Sequence, residues 1–275
     1  RSLPVQPMMR LRTLLIPLLL LAMTGCSLFG DKNRFDAQAD VMSVEQLYEE
    51  ANVSMQKGNY DRAIRFYRGL IARFPFGSYS EQSQLDLAYC QYKRDQDDEA
   101  VATLNRFLKA HPTHPKVDYA LFLRGLVNFD RNASMLDRVL PNEISTRDQQ
   151  ALRQAFIDFS ELIKRYPSSA YAGDARQRMV YLRNSMAEFE MNVARYYYRR
   201  GAYVAAASRA AYVVENYQRT PQSLDALELM ASSYDGLNEP ALAEDVRRVL
   251  SLTAPERERA IEERKSWWRR WLPFG

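Results

Sequence analysis

The 275-residue sequence lacks the short motifs by which many enzymes are recognised. It has no glycine-rich phosphate loop, no His-Glu-x-x-His and no Gly-x-Ser-x-Gly, and its acidic residues are spread along the chain rather than paired as catalytic carboxylates. The only histidines, His111 and His114, lie in His-Pro-Thr-His-Pro, where capping or loop packing is a more ordinary role than metal binding. These features favour a binding protein over an enzyme and predict no metal or other cofactor.

A marked excess of positive charge is also missing. Lys and Arg number 38 against 34 Asp and Glu, but three arginines and no acid precede Cys26, so the remaining chain has a net charge of +1. A protein that binds nucleic acid through its phosphates needs a clear excess of Lys and Arg. The sequence therefore gives no support to nucleic-acid binding, and its mixed charges are typical of solvated helix surfaces.

Cysteine is scarce, since only Cys26 and Cys90 occur. Cys90 ends the apolar stretch Leu87-Ala88-Tyr89-Cys90, where a thiol usually serves as a small buried hydrophobic group. A catalytic thiol is the alternative. Because Cys26 is expected to carry lipid, as argued next, no internal disulfide is expected.

The first 25 residues have the pattern of a secretory signal. Arg10 and Arg12 precede an apolar run over residues 14–23, and small residues follow in Met23-Thr24-Gly25-Cys26. The run is too short to cross a bilayer, which needs roughly 20 apolar residues. The cysteine after Thr-Gly resembles the lipobox of bacterial lipoproteins, so we predict that residues 1–25 are removed and that Cys26 carries a diacylglycerol and an N-terminal acyl chain. A plain signal peptide or a short anchor is the alternative.

The residue after the cysteine bears on the destination of such a lipoprotein. By the same resemblance, an Asp there would favour retention in the inner membrane, and Ser27 favours the periplasmic face of the outer membrane. Residues 26–43 show no repeat pattern and are expected to form the lipidated N terminus and a tether.

A pattern of small and aromatic residues recurs along the rest of the chain. In residues 44–75, Ala51 and Ala63 would let two helices approach closely, Gly58 would permit the turn between them, and Pro75 would end the second helix. This is the spacing of the tetratricopeptide repeat, a helix–turn–helix unit of about 34 residues.

The same positions return 37 residues later, where Ala88 and Ala100 take the alanine places and Asp95 gives a weaker turn. We predict five units, at about residues 44–75, 81–112, 118–167, 187–218 and 224–255. In the third unit Gly125 and Ala155 are 30 residues apart instead of 12, so about 18 residues near 130–147 are predicted to be an inserted loop.

Residues 172–200 carry no strong helix breaker after Gly173, which predicts one long helix or two helices in line. Strand signals are nearly absent, so the predicted fold is all-α, a superhelical solenoid of about five tetratricopeptide helix–turn–helix repeats. The predicted organisation has three units in residues 44–167, two units in residues 168–255, and a charged, Trp-rich tail in residues 256–275.

Stacked helix pairs form a concave surface suited to extended peptides. The first helix of each unit lines that surface, and the repeat pattern projects onto it Tyr48, Asn52, Met55, Leu85, Tyr89, Tyr92, Tyr119, Phe122 and Phe129. Aromatic side chains give a large contact area, and tyrosine can also form hydrogen bonds with a peptide backbone. For each of these residues the alternative is a place in the helical core.

The C-terminal tail alternates Trp267, Trp268 and Trp271 with arginines. Tryptophan beside arginine suits a membrane interface or a partner's groove. The alternative is that the indoles fold back and cap the last repeat.

Several linker segments are more specific than the repeats themselves: Arg73-Phe74-Pro75-Phe76-Gly77, Gln84-Leu85-Asp86-Leu87, Pro112-Thr113-His114-Pro115, Arg124-Gly125-Leu126, Tyr166-Pro167 and Arg199-Arg200-Gly201-Ala202. Together with the lipobox and the repeats, they resemble the BamD family, lipoproteins of the outer-membrane β-barrel assembly machinery (the Bam complex). The resemblance covers nearly all of the chain after Cys26. It departs from the family in the 130–147 insertion, at Gln218 and in the Trp-rich tail.

The resemblance implies a scaffold and receptor for β-barrel assembly that is lipid-anchored to the outer membrane. Members of the family bind BamA through its periplasmic POTRA domains, the small lipoproteins BamC and BamE, and unfolded outer-membrane protein precursors. The N-terminal units are expected to receive the precursor and the C-terminal units to face BamA, where Arg209 matches a family arginine. The alternatives are a repeat lipoprotein for envelope division or polysaccharide export and, less in keeping with the motifs, a peptidoglycan hydrolase.

Overall fold

The computed structural model describes residues 41–131 and 149–253, and within these ranges the secondary structure is helical, with no strand. The helices are α1 Val44–Gln56, α2 Tyr60–Arg73, α3 Ser78–Lys93, α4 Asp97–Ala110, α5 Val117–Asp130, α6 Gln149–Arg165, α7 Ala172–Arg199, α8 Tyr203–Asn216 and α9 Gln222–Gly236. Residues 240–253 form a further helical segment, α10. The predicted all-α fold class is confirmed.

The chain forms two compact units, one ending at Thr103 and the other beginning at Leu104. The predicted division after residue 167 differs from this, because α6 packs directly against α7 across that position. The core of the first unit contains Leu47, Ala51, Ala63, Phe66, Tyr67, Leu70, Leu87 and Cys90. The main core of the second unit contains Val117, Leu121, Leu152, Ala155, Phe159, Leu162, Leu182, Met186, Met191, Ala210 and Val213.

The turn inside four of the helix pairs uses the same backbone conformation. Gly58, Asp95, Gly201 and Asn238 have φ angles of 74°, 55°, 74° and 61°. In each turn the next amide N–H donates to the carbonyl oxygen five residues before it, at 2.9–3.0 Å, and so closes the end of the first helix. Glycine, aspartate and asparagine tolerate this left-handed region best, which explains why Asp95 and Asn238 can occupy positions where the other turns have glycine.

Small residues lie where the two helices of a pair approach. The alanines at the repeat positions are fully buried: Ala51, Ala63, Ala88, Ala100, Ala155, Ala194, Ala206 and Ala243. In the interrupted third pair Gly125 takes this role, since a Cβ atom there would lie 2.6 Å from Cε1 of Phe159. Beside this contact, Nη2 of Arg124 donates to Oδ1 of the buried Asp158 at 2.6 Å. Both contacts join α5 to α6 although 18 residues of chain separate the two helices.

The segment that could be one helix or two is a single helix, α7, of 28 residues. At 1.5 Å per residue it is about 42 Å long. It packs against α6, α8 and α9, so one element holds together most of the second unit. In the part of the chain described, no helix combines the length and apolarity needed to span a bilayer.

Cys90 is the buried hydrophobic group that its sequence context predicts, with no exposed surface. Burial raises the pKa of its thiol to about 12, and the nearby Asp86 carboxylate adds to the effect. The two histidines also serve packing, as predicted: the rings of His111 and His114 each lie 5.2 Å from the ring of Phe107. Nδ1 of His114 accepts a hydrogen bond from the Lys116 amide at 3.1 Å.

Gly125→Ala is expected to destabilise the protein, because the added methyl group would clash with the fully buried ring of Phe159. We expect urea denaturation to show a loss of about 1–3 kcal/mol in the free energy of unfolding, as is usual for overpacking. Gly69→Ala in α2 is the matched control, because nothing lies within 4 Å of its added Cβ atom. Replacing that helical glycine should raise the free energy of unfolding by about 0.5–1 kcal/mol. Equal effects of the two substitutions would contradict the close approach of α5 and α6.

In a Cys26→Ser protein, Cys90 is expected to resist iodoacetamide at about pH 8 while folded and to react in denaturant, because its raised pKa and its burial suppress the thiolate. The folded pKa lies above the ordinary value of 9.0, so the stabilisation from the neutral thiol is complete below that pH and declines as the pH rises towards 12. Mass spectrometry of the alkylated protein measures the reaction. Rapid alkylation of the folded protein would show that the α1–α3 region opens readily.

Candidate functional site

The first unit has a surface on which α1 and α3 lie beside each other. From α1 it takes Tyr48, Asn52 and Met55, which are spaced by four and three residues and are half-buried. α3 adds four side chains that share one helical face, with spacings of three, four and three residues. The α1–α3 surface is therefore formed by Tyr48, Asn52, Met55, Tyr79, Gln82, Asp86 and Tyr89.

The Asp86 carboxylate joins the two helices of this surface. The Tyr48 hydroxyl donates to its Oδ2 atom at 3.1 Å, and Nε2 of Gln82 donates to its Oδ1 atom at 2.8 Å. Burial raises the pKa of Tyr48, and the charge and hydrogen bond of Asp86 raise it further. Tyr48 is thus held as a neutral phenol with its hydroxyl directed across to α3.

Aromatic contacts fix the Tyr48 ring in position. Its centroid lies 5.4 Å from the ring of Tyr79 and 6.1 Å from the ring of Tyr67, which is fully buried. The Tyr67 hydroxyl also donates to Sδ of Met55 at 3.9 Å. Nε2 of Gln56 donates to Oδ1 of Asn52 at 3.4 Å. Tyr48 and Met55 are therefore anchored to the core, and all three predicted α1 residues remain partly exposed.

The prediction for Leu85 is wrong. Its side chain is 0% exposed and is part of the buried core. Consecutive residues of an α-helix are about 100° apart around its axis, so α3 directs Leu85 inward when it directs Asp86 to the surface.

Tyr89 and Tyr92 lie on α3 and are half-buried, so part of each side chain is accessible to solvent. The ring of Tyr89 meets the ring of Tyr60 edge-on at 6.4 Å. Burial and the neighbouring Tyr60 raise the pKa of Tyr89. Both side chains therefore combine a packed part with an accessible part.

In the second unit, Tyr119 and Phe122 pack against other aromatic rings rather than only lining an open groove. The ring of Phe122 stacks on Tyr171 at 4.9 Å and lies 5.9 Å from Phe159, while Tyr119 lies 5.6 Å from Tyr171. Phe129 extends the row, with its ring 5.5 Å from Tyr181. All three residues are half-buried, and Phe122 and Phe129 pack against the core of the second unit. Their part in a peptide-binding groove stays a prediction.

Arg209 lies on α8 and is held by a buried acid. Its Nη1 atom donates to Oε2 of Glu190 on α7 at 2.9 Å, and Nη2 of Arg153 on α6 lies 4.0 Å from the other carboxylate oxygen. Glu190 is 3% exposed, whereas the Arg209 side chain is 47% exposed. The guanidinium group is therefore anchored on one side and open to solvent on the other.

Among the side chains of these surfaces, Tyr79, Gln82, Asp86 and Tyr171 were not predicted from the sequence. Asp86 falls in Gln84-Leu85-Asp86-Leu87, one of the linker segments that carry the family resemblance. Its contact with Tyr48, however, joins residues 38 positions apart. Tyr171 precedes α7 in a linker, where helical periodicity gives no signal.

Some predicted features lie outside the described residues. They are the signal segment 1–25, the lipidation site Cys26, nearly all of the tether that follows it, the insertion near 130–147 and the whole of the tail 256–275 with its tryptophans. They remain predictions from the sequence.

Comparison with known proteins gives consistent matches over nearly the whole chain. The profile of the YfiO family, described as outer membrane lipoprotein, matches residues 40–249. A Neisseria meningitidis serogroup B protein named outer membrane protein assembly factor BamD is 43% identical over 256 residues, which cover 91% of this chain and 96% of the relative. A protein of the same name from Xylella fastidiosa strain Temecula1 is 42% identical over 85% of this chain and 78% of the relative.

Among solved structures, the crystal structure of MamA matches 76% of this chain and 96% of its own, at 16% identity and a TM-score of 0.37. The family assignment rests on the sequence matches, which extend through both compact units. The chain belongs to the YfiO family of outer membrane lipoproteins, the family of the outer membrane protein assembly factor BamD.

Proposed function

We propose that this protein is an assembly factor for outer-membrane β-barrel proteins, acting in the Bam complex as a scaffold and as a receptor for unfolded precursors. The observation that carries the proposal is the 43% identity to a protein named outer membrane protein assembly factor BamD, over 96% of that relative's length. The match therefore includes both compact units and is not confined to a generic repeat.

A scaffold role agrees with the chemistry of the polar groups. The buried acids Asp158 and Glu190 serve as partners of arginines that join helices. The thiol of Cys90 is buried and has a raised pKa, which is unsuited to nucleophilic catalysis. These groups hold the fold together, and the proposed activity is binding rather than catalysis.

The α1–α3 surface is the proposed receptor for precursor segments. Unfolded β-barrel chains offer extended backbone with apolar and aromatic side chains, and tyrosine can meet both with its ring and its hydroxyl. Asp86 and Tyr67 already hold Tyr48 in position, so binding would cost little additional side-chain entropy. Tyr92 at the end of α3 and, in the second unit, Tyr119 and Phe122 are proposed to add aromatic contacts.

The proposed contact with BamA is centred on Arg209. An anchored guanidinium group with an open face can bind a partner carboxylate through two parallel hydrogen bonds. Glu190 orients the group but leaves about half of the side chain accessible. BamC and BamE are the further proposed partners, on the basis of the family resemblance alone.

The proposed anchor is lipid on Cys26, on the periplasmic face of the outer membrane. Residues 27–43 lie between this cysteine and α1, and they could extend by up to about 3.3–3.6 Å per residue. Such a tether would keep the precursor-binding surface close to the membrane in which barrels are inserted.

Photo-crosslinking tests the receptor and scaffold roles together. Benzoylphenylalanine at Tyr48, Tyr89 or Phe122 is expected to capture an unfolded barrel precursor, because each ring is partly exposed. The same photoreactive residue at Tyr212, three residues after Arg209 on α8, is expected to capture BamA while leaving the Arg209–Glu190 pair intact. Immunoblots of irradiated cells identify the products.

Matched controls carry the photoreactive residue on other exposed positions of the same helices, at Glu49 on α1, Lys93 on α3 and Val204 on α8. Equal precursor capture at Glu49 and Tyr48 would contradict the assignment of the α1–α3 surface. Failure to recover BamA with this protein, together with normal barrel levels after its depletion, would contradict the function itself and favour another envelope process.

Cys26→Ser separates anchoring from binding. The substituted protein is expected to lose firm attachment to outer-membrane vesicles and to keep its binding to BamA and to precursor, because the lipid takes no part in the proposed surfaces. Vesicle flotation measures the first property and pull-down of the soluble protein the second. Loss of both interactions in solution would show that the anchor does more than tether.

A further inference from the structure

The helix α10 at the end of the described chain carries an exposed apolar stripe. Leu242, Val249 and Leu252 are 45%, 49% and 69% exposed. They are spaced by seven and three residues, so they lie on one side of the helix, next to the buried side that holds Ala243 and Val246. Terminal elements of helical repeats need cover or a polar outer face to remain soluble.

A groove adjoins this stripe between α8, α9 and α10 and has a volume of about 230 Å³. Its apolar lining includes Val214, Met230 and Val249. Its ionisable lining residues are Glu215 and Asp245, both acidic. Asp245 accepts from Nη2 of Arg248 at 2.8 Å, but both side chains are well exposed, and such a pair is weak in water. The groove therefore suits an apolar segment that carries positive charge.

The charges of this region and of the chain's own C-terminal segment are opposite. Residues 211–253 contain seven acidic and three basic residues, whereas residues 264–275 contain four basic residues and no acid. The same twelve residues include Trp267, Trp268, Trp271, Leu272 and Phe274. The segment has both the apolar side chains and the positive charge that would complement the apolar stripe and the acidic groove.

The segment is also within reach. Residues 254–263 connect it to the described helix and could extend by about 33–36 Å. Val249 lies only four residues before the end of the described range, or about 6 Å along the helix. Pro255 lacks a backbone N–H and disfavours a straight continuation of α10.

We propose that residues 264–275 fold back onto the groove between α8, α9 and α10. The indole rings cover the apolar stripe and the lining of the groove, while the basic side chains face Glu215 and Asp245. The segment thus covers the exposed end of the last helix pair. The proposed occupant is this segment rather than a membrane or a second copy, because the groove has an acidic rim and residues 254–263 are long enough to bring the segment back to it.

Intrinsic fluorescence tests this placement, since the three tryptophans of the segment are the only ones in the protein. In the Cys26→Ser protein, without lipid or detergent, we expect blue-shifted emission and slow quenching by acrylamide. Val249→Lys places a cation in the groove at a half-exposed position, so the fold should survive. We expect this substitution to shift the emission to the red and to speed quenching several-fold. Val204→Lys, at an exposed position near the start of α8, is the matched control and should leave the emission unchanged.

A disulfide provides a second measurement that does not depend on fluorescence. In a protein with Cys90→Ala and Cys26→Ser, the pair Val249→Cys and Trp271→Cys is expected to oxidise within one molecule, as seen by mass spectrometry of the monomer. Disulfide-linked dimers would assign the groove to a second copy and overturn the proposal. Red, rapidly quenched emission that turns blue only with anionic vesicles would assign the segment to the membrane and overturn it as well. Circular dichroism confirms that each variant remains helical.

Discussion

The close approach of helices within each pair is the constraint on which the rest of this structure depends. Side chains no larger than a methyl group fill the crossing points, as at Ala51 and Ala63, and at Gly125 even that group is too large. Larger side chains such as Tyr67 and Phe159 then occupy the adjacent space and are fully buried. Because each crossing positions the next helix, the surfaces proposed to bind partners are set by contacts made in the interior.

The small residues are also why so much of the fold could be predicted. Ala51, Ala88 and Ala194 each stand seven residues before the turn residue that follows, and such a fixed spacing indicates helix pairs without any knowledge of long-range contacts. The candidate site was harder to predict from the sequence. Leu85 and Asp86 are neighbours in an amphipathic helix, and an error of one position in the projected face placed the core residue on the surface. The contact of Tyr48 with Asp86 depends on how two helices meet, which periodicity on one helix cannot reveal.

The α1–α3 surface and the Arg209 region share a physical principle. In each, a carboxylate fixes the group that faces solvent: Asp86 holds the Tyr48 hydroxyl, and Glu190 holds the Arg209 guanidinium. A side chain that is ordered before binding loses less entropy when a partner arrives. The two regions differ in what they can offer, because the first presents neutral aromatic groups and the second a fixed positive charge. This difference matches the proposed division between an unfolded chain and a folded partner.

The contact of Gly125 with Phe159 and the ion pair of Arg124 with Asp158 affect where the sequence can change in length during evolution. They join α5, which ends at Asp130, directly to α6, which begins at Gln149. As a general rule, doubling the length of a loop between two elements adds only about 0.6 kcal/mol of closure entropy. That position can therefore gain or lose many residues while the helix pair persists, which makes it the place in the chain where new binding segments can be added at little risk to the fold.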